Sequence, residues 1–266
     1  MGFLQIENVA KTYRTDGVVT EVLTPLSLGI ARGEIVTFLG PSGCGKTTLM
    51  RMVGGLESID QGRITLAGAE LGPPDRRRGM VFQSYAAFPW LSVRKNIGFG
   101  LRYRRDLTAA QKEEIVERYL AMVGLSAFGD AYTNRLSGGM RQRVAIARTL
   151  AADPEVLLMD EPFGALDALT REHLQQQLLA INAAEQKTTI FVTHDVEEAI
   201  LLAHRVVVFS ARPARILSIV DVGAQLGEAE RGEDIAQTDR FQALRREIQG
   251  IIRAEHNPAM AVDHAV

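Results

Sequence analysis

Cysteine is almost absent: 266 residues contain only Cys44. No intrachain disulfide is possible, which fits a reducing compartment. Long hydrophobic runs are missing too. No stretch approaches the roughly 18 uninterrupted apolar residues that a membrane span needs, so any tie to a membrane is expected to run through a partner. Excess charge of one sign is lacking: the net charge is −2 and the pI near 6.2. That gives no overall pull toward nucleic acid or anionic lipid. The short run Arg76-Arg77-Arg78 reads as solvated surface. Met1 to Glu7 has neither the basic nor the apolar part of a secretory signal, and Ile6 breaks the myristoylation pattern. Aromatic residues are 6% of the chain, and the single tryptophan, Trp90, stands in the loop-like Phe88-Pro89-Trp90-Leu91. What remains is ordinary globular material, 46% hydrophobic and 23% charged, with ample substance for a core and no internal repeat.

The most informative stretch is Gly40-Pro41-Ser42-Gly43-Cys44-Gly45-Lys46-Thr47, continued by Thr48 and Leu49. It follows Gly33 to Leu39, an apolar, β-branched run that reads as a buried strand. Strand, glycine-rich loop and helix are the context the G-x-x-x-x-G-K-[ST] pattern requires. Glycines let successive backbone N–H groups turn inward, and the helix starting near Lys46 adds its positive N-terminal end. Lys46 is expected to reach the β- and γ-phosphates of a nucleoside triphosphate, and Thr47 to ligate Mg²⁺.

The remaining pattern is that of an α/β chain. Leu4 to Val9 alternates as a half-buried strand, Thr15-Asp16-Gly17 is turn-prone, and Val22 to Ile30 is a second strand. Gly54-Gly55 stops the first helix, and Gln61 to Gly68 and Gly79 to Gln83 read as strands. Leu107 to Val123 predicts a helix with Ile115, Tyr119, Met122 and Val123 on its apolar side, and Gly138 to Ala152 predicts another. Residues 84–150 therefore read as a helical insert. The α/β alternation resumes with the wholly apolar Val156 to Met159, a helix over Ala168 to Glu185 with Leu174, Leu178 and Ile181 on one face, and strands at Thr189 to Thr193 and Val206 to Phe209. Asp195 is placed to cap the helix that follows. Such alternation implies a parallel sheet with helices on both faces. Expected domains are a nucleotide-binding core over 1–83 and 151–210, the insert 84–150, and a tail 211–266. In the tail, Gly223 to Asp234 reads as a mobile loop. Asp239 to Ala254 reads as an amphipathic helix, with Phe241, Leu244, Ile248 and Ile251 as its stripe, that docks on the same subunit.

Several further residues are candidates for chemistry. Asp160-Glu161 ends an apolar strand behind a phosphate loop, so Asp160 is placed to hold Mg²⁺ and Glu161 to accept a proton from an attacking water. Gln83 and His194 each follow an apolar strand, where open α/β sheets bind ligands. The amide of Gln83 can coordinate Mg²⁺ or orient water, and His194 can contact the γ-phosphate. Tyr13 is open to two readings, stacking on an adenine face or packing at a strand edge. Ser137-Gly138-Gly139 opens a helix as a second anion site without a lysine of its own. One nucleotide cannot easily use two distant nests in one chain, but two copies related by a two-fold axis can each close over the triphosphate of the other.

With Leu136-Ser137-Gly138-Gly139-Met140 the chain resembles the ATP-binding subunits of ABC transporters, from about Ile6 to Phe209. Gly40 to Thr47 matches Walker A, Val156 to Asp160 Walker B, and Leu136 to Met140 the family signature, with Met where Gln is usual. Glu161 falls at the catalytic-base position, Gln83 at the Q-loop, His194 at the switch histidine, Tyr13 at the adenine-stacking aromatic, and Gly164-Ala165-Leu166-Asp167 at the D-loop. The resemblance implies the ABC ATPase fold: a P-loop parallel-sheet core, an N-terminal antiparallel β part and a helical insert. It implies an ATPase using ATP and Mg²⁺, paired with a second copy of itself, on integral membrane permeases at the cytoplasmic face of the inner membrane, indirectly served by a solute-binding protein, with no nucleic acid. Segment 84–91 would receive the permease. Pro41 to Gly45, Phe88-Pro89-Trp90, Glu161 to Ala168 and Arg212-Pro213-Ala214-Arg215-Ile216 are similar to importer subunits for nitrate, sulfonate and taurine, though thiamine-precursor importers look similar. A soluble ABC protein of DNA repair or translation is the alternative of another class. Against it stand the single cassette, the lone cysteine and the lack of a heptad run. A small-molecule kinase would have no use for Leu136 to Gly139.

Overall fold

A computed structural model describes residues 2–83, 87–164, 166–227 and 235–256. In chain order the strands and helices are β1 (Leu4–Thr15), β2 (Val18–Ile30), β3 (Ile35–Leu39), α1 (Lys46–Val53), β4 (Gln61–Leu66), β5 (Ala69–Glu70) and β6 (Arg78–Val81). There follow α2 (Val93–Ile97), α3 (Ala109–Met122), α4 (Gly138–Ala151), β7 (Val156–Asp160) and α5 (Ala168–Glu185). The last are β8 (Thr188–Thr193), α6 (Val196–Leu202), β9 (Arg205–Phe209), β10 (Ile216–Asp221), α7 (Val222–Leu226) and α8 (Asp239–His256). They gather into two compact units, Met1–Pro74 with Thr188–Val266, and Asp75–Lys187. The described part of the expected insert, residues 87–150, lies in the second unit, together with β6, β7 and α5. No helix among the described residues is long and apolar enough to cross a membrane.

In the first unit, β1 pairs antiparallel with β2 and with β4, which carries the short β5. The turn between β1 and β2 falls at Asp16 and Gly17, both with positive φ, so each strand runs further than its apolar alternation implied. A second set of strands runs β10-β9-β3-β8. β3 lies parallel between β8 and β9, with Leu39 opposite Thr193 on one side and Val208 on the other. Every residue of β3 and β8 is buried, as expected of parallel strands covered on both faces. β10 matches none of the expected strands. Ile216 to Asp221 is a half-exposed edge strand running antiparallel to β9, without a strong apolar period. α8 lays Phe241, Leu244 and Ile248 into a cluster with Ala199, Ile200, Val206, Val208 and Val220, and Ile251 packs against it. Of the expected loop 223–234, residues 223–226 belong to α7 and 228–234 lie outside the described residues.

In the second unit, β6 and β7 form a parallel pair, with Val81 opposite Met159. β6 stops at Val81, so Gln83 lies beyond the strand rather than ending it. α3 is shorter than expected because Thr108 caps it: its hydroxyl accepts from the Gln111 N–H, and the Gln111 side chain returns to the Thr108 N–H. Its buried face is Val116, Tyr119, Leu120 and Val123, not the expected Ile115 and Met122, which are half-exposed. Both stripes satisfy the helical period, and the packing against α2 and α4 chose between them. On α5 the residue buried beyond Leu178 is Asn182, whose amide donates to the Lys187 carbonyl, while Ile181 is half-exposed.

Candidate nucleotide site

The phosphate-binding loop leaves the carboxyl end of β3 and enters α1 at Lys46. Gly45 has φ +127°, and a Cβ there would come within 3.0 Å of Val22 and Leu23, so only glycine closes this turn. Lys46 is buried, with Nζ donating to the carbonyls of Gly40 and Pro41 at 2.8 Å each. The cation thus sits over the loop it would serve, satisfied by backbone oxygens that a phosphate could replace. Cys44 is buried beside it, its Sγ 3.8 Å from Nζ. Thr47 and Thr48 follow in the first turn of α1.

Two other candidates of the first unit lie close to this loop. β8 is the hydrogen-bonded neighbour of β3, so His194, exposed just beyond Thr193, leaves the sheet beside Gly40. Asp195 caps α6, accepting from the N–H groups of Glu197 at 2.8 Å and Glu198 at 3.1 Å. Tyr13 is 36% exposed, with Lys11 Nζ 5.1 Å above its ring. Burial pushes its phenol up, Glu57 adds to this, and a hydrogen bond with Thr48 opposes it. Its phenol oxygen therefore reaches Thr48 in the first turn of α1.

The second unit gathers the acidic candidates. Asp160, at the end of β7, is 4% exposed behind four wholly buried apolar residues. Glu161 follows in the left-handed region with φ +45°. Gln83 Nε2 donates to Glu161 Oε2 at 3.1 Å, which joins the two strand ends through their side chains. Ser137 is the N-cap of α4, its Oγ accepting from the Met140 N–H at 3.2 Å, with Gly138 and Gly139 in the first turn. Asp167 caps α5 in the same way, accepting from Thr170 N–H at 3.0 Å; that bond holds its carboxyl below the usual range. Ala165, beside it, lies outside the described residues.

Two residues escaped sequence reading. Gln142 is buried on α4, one turn beyond Ser137, and its Nε2 donates to the Pro162 carbonyl and, at 3.5 Å, to that of Glu161. It sits inside the quoted run Leu136 to Arg143, but nothing local says where its amide points. Asn96 is buried on α2 and holds the aromatic loop. It accepts from Phe88 N–H at 2.8 Å and donates to the carbonyls of Phe88, Leu91 and Ser92 at 3.0–3.2 Å. Phe88 stacks on Trp90 at 5.4 Å, with Arg148 4.5 Å over its ring, and Trp90 stays 68% exposed. Of segment 84–91, residues 84–86 lie outside the described residues.

A glycine-rich turn between a parallel strand and a helix, with its lysine folded over it, defines a P-loop nucleotide-binding protein. The family model for ABC transporters matches residues 23–164. An ABC transporter ATP-binding protein of Methanocaldococcus jannaschii is 46% identical over 252 residues, 95% of this chain and 92% of that protein. A taurine import ATP-binding protein of Jannaschia sp. is 44% identical over 94% of this chain and 93% of its own length. An aliphatic sulfonates import ATP-binding protein of Bacillus cereus is 39% identical over 92% and 94% respectively. Among solved structures, a dimeric ATP-binding cassette in a post-hydrolysis state, bound to ADP and Pi, superposes with a TM-score of 0.75 at 30% identity. It covers 82% of this chain and 98% of that one. The chain belongs to the ABC transporter family, as an ATP-binding subunit with the ABC ATPase fold and ATPase activity.

Proposed function

We propose that this subunit drives import of a small solute of the taurine, sulfonate or nitrate kind, working as a two-fold dimer on integral permeases at the cytoplasmic face of the inner membrane. The solute class is carried by the 44% identity to a taurine import subunit across 94% of the chain. A solute-binding protein would deliver the solute to the permease, and no nucleic acid takes part. The loop N–H groups of Gly40 to Thr48 and the Lys46 ammonium bind the phosphates, and Tyr13 stacks on the adenine. Ser137, Gly138 and Gly139 of the second copy close over the same triphosphate, helped by the N-terminal dipole of α4. Closure is a population shift, because triphosphate binds the closed pair better than the open one.

Glu161 takes the proton of the attacking water, and His194 and Gln83 orient that water and the γ-phosphate. The Gln83–Glu161 hydrogen bond supports this pairing of roles. A hydroxyl (Thr47), an amide oxygen (Gln83) and a buried carboxylate (Asp160) are hard oxygen donors of the kind Mg²⁺ takes, and these residues would hold it. Bound there, the ion would offset phosphate charge during transfer. Phe88 and Trp90, braced by Asn96 and partly exposed, form the surface offered to the permease.

Glu161→Gln is expected to abolish turnover while leaving ATP able to drive dimer formation in light scattering. Ser137→Arg is expected to block that dimer. Near-normal turnover by Glu161→Gln would remove the base assignment, and unchanged dimerisation by Ser137→Arg would remove the shared site. Growth on taurine, other sulfonates or nitrate after gene deletion tests the solute; unaffected growth on all of them sinks it.

A further inference from the structure

Arg212 lies 169 residues from Gly43 in sequence and touches it in space. Its Nε and Nη2 both donate to the Gly43 carbonyl oxygen, at 3.1 and 2.6 Å. The segment carrying it is anchored to β2 and α8 just after Arg212. The Ala214 N–H donates to Val22 O at 2.8 Å, and the Thr24 N–H donates to Ala214 O at 3.1 Å. Val22 and Leu23 are the residues that wall Gly45. Arg215 reaches Glu255 on α8 at 3.3 Å. One short segment therefore backs the phosphate loop through β2 and grips it directly at Gly43.

The grip has a defined electrostatic consequence. A trans peptide points its C=O and the next N–H in opposite directions, so holding the Gly43 oxygen outward holds the Cys44 N–H inward. That N–H donates to Pro41 O across the loop, with N···O 3.4 Å, a long bond that a phosphate oxygen could replace. Carbonyl oxygens turned toward an anion repel it. Lys46 takes up those of Gly40 and Pro41, and Arg212 takes up that of Gly43. Gly43 has φ +72° and no Cβ to limit rotation of its peptide, so the two Arg212 donors, shorter than the internal Cys44–Pro41 bond, do most to set it.

We propose that Arg212 is a positioning residue for triphosphate binding, holding the Gly43–Cys44 peptide in the anion-receiving orientation. This rests on Gly40 to Thr47 being the triphosphate site. The contact serves ground and transition states alike, so its loss raises KM for ATP and leaves kcat nearly unchanged.

The test is an equilibrium titration of the full chain with ATP and with ADP, in the Glu161→Gln background to suppress turnover. Arg212→Ala is expected to bind both about tenfold more weakly, equivalent to about 1.4 kcal/mol. Arg212→Lys, which keeps one charged donor, is expected to stay within about threefold of the parent. With Glu161 intact, KM is expected to follow the same order with kcat within about twofold, and the urea midpoint without nucleotide to be unchanged. Parental affinity in Arg212→Ala overturns the proposal. So does an equal loss in both variants with a lowered urea midpoint, since Arg212 would then merely pack its segment. Lys46→Ala is the control: if it binds ATP normally, the reading of the loop as the triphosphate site fails first, and the proposal falls with it.

Discussion

Replacing Gln142 by Met keeps side-chain volume and deletes the amide that reaches the backbone beside Glu161. Gln142 is 2% exposed, and Pro162, whose carbonyl it satisfies, is buried as well. A buried carbonyl deprived of its donor costs about 1–3 kcal/mol. Glu161, with φ +45°, holds a left-handed conformation that costs a non-glycine residue about 1–3 kcal/mol and persists only while its surroundings impose it. Both costs act in the same direction, so relaxation of the 161–162 backbone becomes favourable once the amide is gone. A reacting group misplaced by about 1 Å loses about a hundredfold in rate. The expected result for Gln142→Met is therefore kcat lower by about 30- to 100-fold with KM for ATP within about threefold, read from steady-state phosphate release. A urea melt accompanies it, to show that the variant is folded. Parental kcat in folded protein would refute the reasoning, as would a raised KM with unchanged kcat.

Gly45→Ala is expected to abolish ATP binding in the same titration, because the new methyl would press on Val22 and Leu23 at a φ of +127°. Phe241→Ala is expected to lower unfolding stability by about 3–5 kcal/mol, read from the urea midpoint, since its ring is fully buried in the cluster under α8. Acid sensitivity should involve Asp60. The Thr12 N–H, at 2.8 Å, and then Lys11 hold its carboxyl below its ordinary 3.8. Its contribution is present above that ordinary value and is lost as pH falls through the lower folded one. Asp60→Asn is thus expected to reduce the drop in stability between neutral and strongly acidic pH, and an unchanged drop would contradict it.

Much of the site was legible because its signals are local. Each apolar strand announces itself by composition, and the turn chemistry that follows lies within a few residues of it. Thr108-Ala109-Ala110-Gln111 carried a legible capping signal that the apolar period of α3 overshadowed. No such signal existed for β10, whose half-exposed edge position leaves little periodicity. The buried side of α3 was ambiguous for the opposite reason, since two stripes satisfied one period and only the neighbouring helices distinguish them.

The order of glycines, the lysine, the acidic pair and the helix-opening serine were determined by sequence alone, since each depends on residues adjacent in the chain. Tertiary structure alone decided that Arg212 grips Gly43, that Gln142 reaches Pro162, and that Asn96 ties down Phe88. A side-chain donor finds a distant carbonyl only after the packed core has placed both, and no local pattern of residue types encodes that distance or direction.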